Sequence, residues 1–429
     1  MNILIVTQYF WPENFRINDL VQEFCKRGHK VTVLTGLPNY PAGRFSAGYG
    51  LRGPYRETYG GGEVIRCPLF PRGGGGGMRL ALNYVSFAVM ATLRGLFACR
   101  KDYDVIFVHE PSPMTVGLPA IALKHVTGAP IMLWILDLWP ESIAATGAVR
   151  SPLLLRWIER MVRFIYRHCD RILVQSQAFV SHVEEQGMPA ENILYFPSWA
   201  ETLYEPAYGT MPLPDGVRLP DGFRVMFAGN IGAAQDFETI LAAAERLKAR
   251  TDIQWIVLGD GRMYGWVQDK VRWRRLTGTV HLLGRHPLEA MPAFFAQADV
   301  MLVTLRREPI FALTIPGKVQ SYLASGRPIV AALDGEGARI ILEAGAGLVC
   351  PAQQPQALAD AVLKLADTPK EDREQMGRRG AEYYAAHFDR AMLLDQLDRW
   401  MRELTAGQGG ISSAAASQPS LSRERGRYS

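Results

Sequence analysis

A chain of 429 residues with 48% hydrophobic, 21% charged and 10% aromatic content has the make-up of a packed globular protein, which excludes a disordered, collagenous or disulfide-framework chain. Lys and Arg number 47 against 42 Asp and Glu, a net of +5, too mild to mark a nucleic-acid binder unless the excess is clustered. Cys25, Cys67, Cys99, Cys169 and Cys350 are odd in number, far apart and free of C-x-x-C spacing, so no zinc ribbon is indicated and a reducing cytosol fits.

The first predicted element is the strand Asn2-Ile-Leu-Ile-Val6. No basic region, apolar stretch and small-residue cleavage site of a secretory signal precedes it, so a cytoplasmic protein is expected. Further β-branched runs predict strands over 31–34, 63–67, 105–109, 130–135, 171–174 and 193–196. Between them lie helical periods such as Ile17, Leu20, Val21 and Phe24, the alternation of βαβ units around a parallel sheet. The longest uncharged apolar run, 80–93, falls short of the roughly 18 to 20 residues that cross a bilayer; no span is predicted, and burial against the sheet is expected.

Five prolines between Pro197 and Pro220 then break the rhythm, which reads as an interdomain linker. Strands resume over 224–228, 253–258, 280–283, 300–305, 328–333 and 347–349. The expected organisation is an α/β chain with a front domain over 1–197, a linker over 198–222 and a rear domain over 223–386. A helix over 387–404 that crosses back to the front domain and a disordered tail over 405–429 complete it. Ligands of such sheets gather beyond the carboxyl ends of the strands, and paired domains make a cleft there.

Several motifs fall at those ends. After a strand, Gly229-Asn-Ile-Gly232 leads into a helix, a turn that lets backbone N–H groups approach a phosphate; a plain βα turn is the alternative. Gly259-Asp-Gly261-Arg262 repeats the pattern and adds a guanidinium, and Pro316-Gly317-Lys318 supplies an ammonium. Helix dipoles contribute only about 0.3 to 1 kcal/mol toward an anion, against about 8 for micromolar binding, so a diphosphate site needs such cations. His109 and Glu110 end one front strand, while Asp137 and Glu141 follow another; together they form an acid/base constellation, with capping as the alternative for Asp137. Asp102 and Asp104 have D-x-D spacing but precede their strand, at the wrong sheet edge for a metal-nucleotide site, so no metal is expected. The first strand is followed by Thr7-Gln-Tyr-Phe-Trp-Pro-Glu13 rather than G-x-G-x-x-G, which argues against a dehydrogenase. On a helix over 153–171, Arg156, Arg160, Arg163 and Arg167 share one stripe opposite Trp157, Ile158, Met161 and Phe164. Such a stripe reads as a seat on anionic lipid or as a solvated face.

The run from Asn2 to Glu13, Arg27-Gly-His-Lys-Val-Thr-Val-Leu-Thr35 and Pro38-Asn-Tyr-Pro-Ala-Gly43 resemble the amino domain of retaining family-4 glycosyltransferases of the GT-B fold. Asp137-Leu-Trp-Pro-Glu-Ser142, Gly229-Asn-Ile-Gly232, Gly259-Asp-Gly261, Pro316-Gly-Lys318 and Leu323-Ala-Ser-Gly-Arg-Pro-Ile329 extend the likeness over most of 1–404. The subgroup it looks most like makes colanic acid, O-antigen and other exopolysaccharides. The resemblance implies two Rossmann-like domains facing a central cleft and transfer of a hexose from a UDP- or GDP-linked sugar to a polyprenyl-diphosphate-linked saccharide. It also implies retention, no metal or other cofactor, no nucleic-acid partner, and a peripheral seat at the cytoplasmic face of the inner membrane.

By matching position, Gly229, Asn230, Gly232, Gly261, Arg262, Pro316, Gly317 and Lys318 would hold the diphosphate, with Arg285 and His286 near the base. Asp137, His109 and Glu110 would serve catalysis, and Glu13, Asn14, Asn39 and Tyr40 the acceptor. The sequence departs from the pattern twice. Gln235-Asp-Phe-Glu238 stands where many relatives have a cation, and its carboxylates would repel phosphate if they faced it. Ser321 and Leu313 stand where paired glutamates are usual, leaving Glu308 or Glu336 as substitutes. A nucleotide-sugar 2-epimerase and a non-catalytic membrane scaffold are the alternative functions.

Overall fold

The computed structural model describes residues 1–407 except 75, 146–148, 150 and 205–210. Its front lobe is an eight-stranded sheet of β1 (Asn2–Val6), β2 (Lys30–Gly36), β3 (Arg56–Tyr59), β4 (Gly62–Cys67), β5 (Val105–Glu110), β6 (Ile131–Ile135), β7 (Arg171–Val174) and β8 (Ile193–Tyr195). They are ordered β3-β4-β2-β1-β5-β6-β7-β8. All neighbours run parallel except the β3/β4 pair. β3 is absent from the sequence reading, because Arg-Glu-Thr-Tyr shows no buried run; its residues are exposed or half-buried on the sheet edge.

The rear lobe is a six-stranded parallel sheet of β9 (Phe223–Ala228), β10 (Ile253–Leu258), β11 (Val280–Gly284), β12 (Val300–Thr304), β13 (Ile329–Ala332) and β14 (Gly347–Cys350), ordered β11-β10-β9-β12-β13-β14. Each sheet is apolar on both faces because helices cover both. Along β1, Leu4 and Val6 enter one core while Ile3 and Ile5 enter the other. The helix Arg16–Lys26 buries Ile17, Leu20, Val21 and Phe24, as their spacing predicts. Strand order reverses at β1/β5 in front and at β9/β12 behind, so the crevice beyond the carboxyl ends opens at those points in each lobe.

The lobes are tied below the cleft. The helix Arg390–Ala406 buries Leu393, Leu394, Leu397 and Met401 in the core formed with β1 and the Arg16–Lys26 helix. Its Arg390 forks onto Asp19 at 2.6 and 2.7 Å, and Asp19 also accepts from Trp199 Nε1 at 2.8 Å. The tail expected from 405 is helical through Ala406, and residues from 408 onward lie outside the described residues. Part of the Gly73 to Gly77 run and of the proline-rich linker also lies outside them.

One element differs in kind from its expectation. The run 80–93 belongs to a helix Gly77–Ala98 of 22 residues, containing an 18-residue stretch of mean hydropathy 1.4, long and apolar enough by length and composition to cross a membrane. Counting only the uncharged stretch missed this, since Arg79 and Arg94 lie within the helix. Phe87, Ala88, Ala91 and Gly95 pack inward, but the opposite side is exposed rather than buried.

Candidate active site

Three turns build the floor of the cleft. The loop after β9 is laced to the loop after β10 by Gly229 N–H to the Leu258 carbonyl at 2.9 Å and Ile231 N–H to that of Asp260 at 2.8 Å. Gly259 N–H bonds in turn to the Gly284 carbonyl after β11 at 2.7 Å. The approach is too close for side chains: a Cβ on Gly259 would lie 1.9 Å from the Gly229 oxygen, at a φ of +127° that disfavours other residues. Gly229 is equally committed, because a Cβ there would meet Lys318 Cε at 2.9 Å.

These turns line a cleft of about 1390 Å³, larger than the roughly 300–1,000 Å³ that one small ligand fills. Both lobes contribute to it, so it has room for two reactants. Of the residues singled out from sequence, Gly229, Asn230, Gly232, Gly261, Arg262, Arg285, His286, Gly317 and Lys318 line it from behind, and Asn14 and Tyr40 from the front. Gly317 opens the helix Gly317–Ala324, whose N-terminus favours anions.

Two of these cations differ in environment. Arg262 is exposed, whereas Lys318 is half-buried with its Nζ over the Phe227 ring, and burial lowers its pKa to about 7. An ammonium so placed is poorly solvated without an anion, and an anion in the cleft would favour its charged form. The feared repulsion from Gln235-Asp-Phe-Glu238 does not arise. Gln235 lines the cleft and its Oε1 accepts from Gly232 N–H at 3.2 Å, while Asp236 is buried and Glu238 pairs outward with Arg274.

Other expectations need correction. His109 and Glu110 do not line the cleft. They end β5 in the middle of the sheet and are buried, His109 bonding to Thr7 Oγ1 at 3.1 Å. Burial lowers His109 to about 3, so its ring is neutral near pH 7, and raises the Glu110 carboxyl well above its usual range. Asp137, half-buried and pushed up to about 6 by desolvation, is also outside the lining.

Glu13 and Asn39 are structural. The Glu13 carboxylate accepts from Asn39 and Tyr40 N–H at 2.6 Å each and from Phe10 N–H at 3.2 Å, and Asn39 Oδ1 accepts from Arg72 N–H at 3.0 Å. They shape the loop that presents Tyr40. Glu336 pairs with Arg339 and accepts from Ser176 Oγ across the lobes at 3.3 Å, outside the cleft. Pro316 is likewise outside the lining and caps the helix that carries Lys318. Of the two substitute carboxylates, Glu308 lines the cleft.

The sequence reading missed Arg16, Arg72, Glu201 and Arg306 in the lining. Arg306 follows β12 and was findable by that rule. Glu201 is not: it joins Arg16 of the front lobe at 2.8 Å to Ser321 of the rear lobe at 3.1 Å, through contacts made only on folding. At the amino edge of the front sheet, Asp102 pairs with Arg100 and Asp104 accepts from Asn2 N–H.

Comparison with known proteins bears on this site. Residues 14–199 match the glycosyl transferase 4-like domain and residues 222–368 the glycosyl transferases group 1 domain. A Pseudomonas aeruginosa protein described as a glycosyltransferase, WbjE, is 28% identical over 289 residues, 66% of this chain and 69% of its own. An Escherichia coli K12 protein described as a colanic acid biosynthesis glycosyl transferase, WcaI, is 25% identical over 338 residues, 76% of this chain and 82% of its own. Among solved structures, Anabaena HepE in complex with UDP superposes with a TM-score of 0.67 at 14% identity, over 94% of this chain and 100% of its own. Sucrose-phosphate synthase from Thermosynechococcus elongatus gives 0.70 at 17%, over 94% and 99%. The likeness to these structures is one of fold, the two-lobed GT-B arrangement.

Proposed function

We propose that this chain, a glycosyltransferase built from a glycosyl transferase 4-like domain and a glycosyl transferases group 1 domain, moves a hexose from a nucleotide diphosphate sugar to a lipid-linked saccharide. The observation that carries the donor side is the convergence of Gly229, Gly317, Arg262 and Lys318 on one cleft. Charge-assisted hydrogen bonds of roughly 1.5 to 3 kcal/mol each from such cations suit a diphosphate. A uridine nucleotide is the first to test, because HepE is a fold neighbour solved with UDP; guanosine is the alternative. WcaI, named for colanic acid biosynthesis, supports a polysaccharide-building acceptor; in this reading that acceptor is polyprenyl-diphosphate-linked and is met at the cytoplasmic face of a membrane.

In this reading the nucleoside diphosphate departs from the same face of the sugar that the acceptor hydroxyl attacks: the C1–O(phosphate) bond breaks as the new glycosidic bond forms, the hydroxyl proton passes to the diphosphate oxygen, and configuration is retained. Lys318, Arg262 and the Gly317 amide stabilise the departing diphosphate in place of a metal. Arg285 and His286 lie toward the base, and Glu308 supplies a carboxylate for sugar hydroxyls. Closure of the lobes, coupled through the Arg16–Glu201–Ser321 contacts, excludes water.

The test is incubation of the purified protein with UDP- and GDP-hexoses, with and without extracted polyprenyl-diphosphate saccharides, with mass and anomeric configuration read on the product. Addition of one hexose with retention, unaffected by a chelator, is expected. An epimer formed from donor alone would replace this reading with an isomerase, and activity restored only by a divalent metal would overturn its metal-free part.

A further inference from the structure

The outer side of the front lobe carries two apolar rows that nothing among the described residues covers. On the helix Gly77–Ala98 the row is Met78, Leu82, Val85, Val89, Leu93 and Phe97, exposed from 45% at Leu82 to 89% at Phe97. On the helix Pro152–His168 it is Leu153, Trp157 and Phe164, exposed by 70, 67 and 47%. Soluble surfaces scatter such residues singly. Here they repeat at spacings of three or four in the first row, and of four and seven in the second, so each row lies along one line of its helix.

The two helices belong to one face. Both pack into the same core and flank the helix Gly117–Thr127, which touches each of them. Contrary to the sequence expectation, Arg156, Arg160, Arg163 and Arg167 lie beside the Leu153, Trp157 and Phe164 row rather than opposite it, all exposed, with Arg160 over the Trp157 ring and the single acid, Glu159, paired with Arg163. The Gly77–Ala98 helix has Arg79 and Arg94 and no acid. A surface that combines large apolar side chains with an excess of arginine is complementary to an anionic lipid interface.

The face also reaches the cleft. Arg72, Gly73 and Gly74 line the cleft just before the first helix begins, and Ala145 lines it before the second. Met78, in the first turn of the first helix, is four residues from Gly74 of that lining. From Met78 to Phe97 the first row runs for about 29 Å at 1.5 Å per residue. Its inner side is anchored by Phe87, Ala91 and Gly95 in the lobe core, so the helix lies flat against the lobe.

We infer that this face docks in the plane of an anionic bilayer, the two apolar rows entering the interface, the arginines meeting headgroups, and the cleft mouth held at headgroup depth. A lipid-linked diphosphate saccharide would then reach the cleft by lateral diffusion. This rests on the proposed lipid-linked acceptor for its purpose but not for its test.

The test is flotation of the full-length protein with phosphatidylcholine vesicles and with vesicles containing phosphatidylglycerol. The wild type is expected to float with the anionic vesicles and to be released by high salt. Met78→Ser, Val85→Ser, Val89→Ser and Phe97→Ser combined should weaken binding more than tenfold. So should Arg156→Gln, Arg160→Gln and Arg167→Gln combined, at roughly fivefold per charge. Both variants should keep the wild-type circular dichroism and nucleotide titration, which separates loss of docking from loss of the donor site. A wild type that stays in the aqueous fraction, or variants that float as it does, would overturn the inference. A stable dimer that the serine variant dissolves would overturn it too, assigning the face to a second copy of the chain.

Discussion

The Nζ of Lys318 sits 3.6 Å from the centre of the Phe227 ring, so the cation at the head of the Gly317–Ala324 helix rests on the carboxyl end of strand β9. The ring face stabilises the charge, yet burial outweighs it and lowers the pKa from 10.5 to about 7. Between those two values the unfolded chain binds more protons than the folded one. The penalty of burying the charge is therefore complete below about pH 7 and fades as the pH rises toward 10.5.

Lys318→Met, close in length but neutral, is accordingly expected to raise Tm of the unliganded protein at about pH 6, with a gain that shrinks at about pH 9.5. Scanning fluorimetry at both values checks this. A gain that is absent, or that grows with pH, would mean that the ammonium is well solvated or paired.

Glu13→Gln should destabilise by about 1 to 3 kcal/mol, because one of the oxygens that accept the Phe10, Asn39 and Tyr40 amides is replaced by a donor. Nucleotide affinity should stay at the wild-type value, since these contacts lie wholly in the front lobe. Denaturant titration and calorimetry together read the two effects; unchanged stability would show that the loop carrying Tyr40 does not depend on this carboxyl.

Glu110→Gln should change kcat/KM by less than about tenfold, the equivalent of about 1.4 kcal/mol. The Glu110 carboxyl is buried inside the sheet and absent from the cleft lining, burial raises its pKa, and the amide is nearly isosteric with it. A loss of several orders of magnitude would return Glu110 to the chemistry, through a motion that brings it to the cleft.

Twelve of the fourteen strands were legible as apolar β-branched runs, since parallel strands buried on both faces leave an uninterrupted signal; β8 was legible too despite its three residues. The edge strand β3 left none. The glycine turns were legible because close backbone approach restricts residue type, and Lys318 because Pro316-Gly317 marks the start of a helix at the cleft. Glu13 and Glu110 misled for a physical reason: a carboxylate after a strand looks the same in sequence whether it faces a cleft or holds a loop. The pairing of Glu201 with Arg16 and Ser321 joins segments 185 and 120 residues apart, which no local pattern encodes. The Gly77–Ala98 helix shows the same limit, because composition marks it apolar while only the fold decides which side meets the core.

The most direct measurement is calorimetric titration of UDP and GDP into the wild type and Lys318→Ala. Saturable one-to-one binding of at least one nucleotide, weakened more than tenfold, or about 1.4 kcal/mol, in a variant that still folds, is expected. Wild-type affinity in the variant, or no binding of either nucleotide to the wild type, would contradict a donor diphosphate held by the rear lobe.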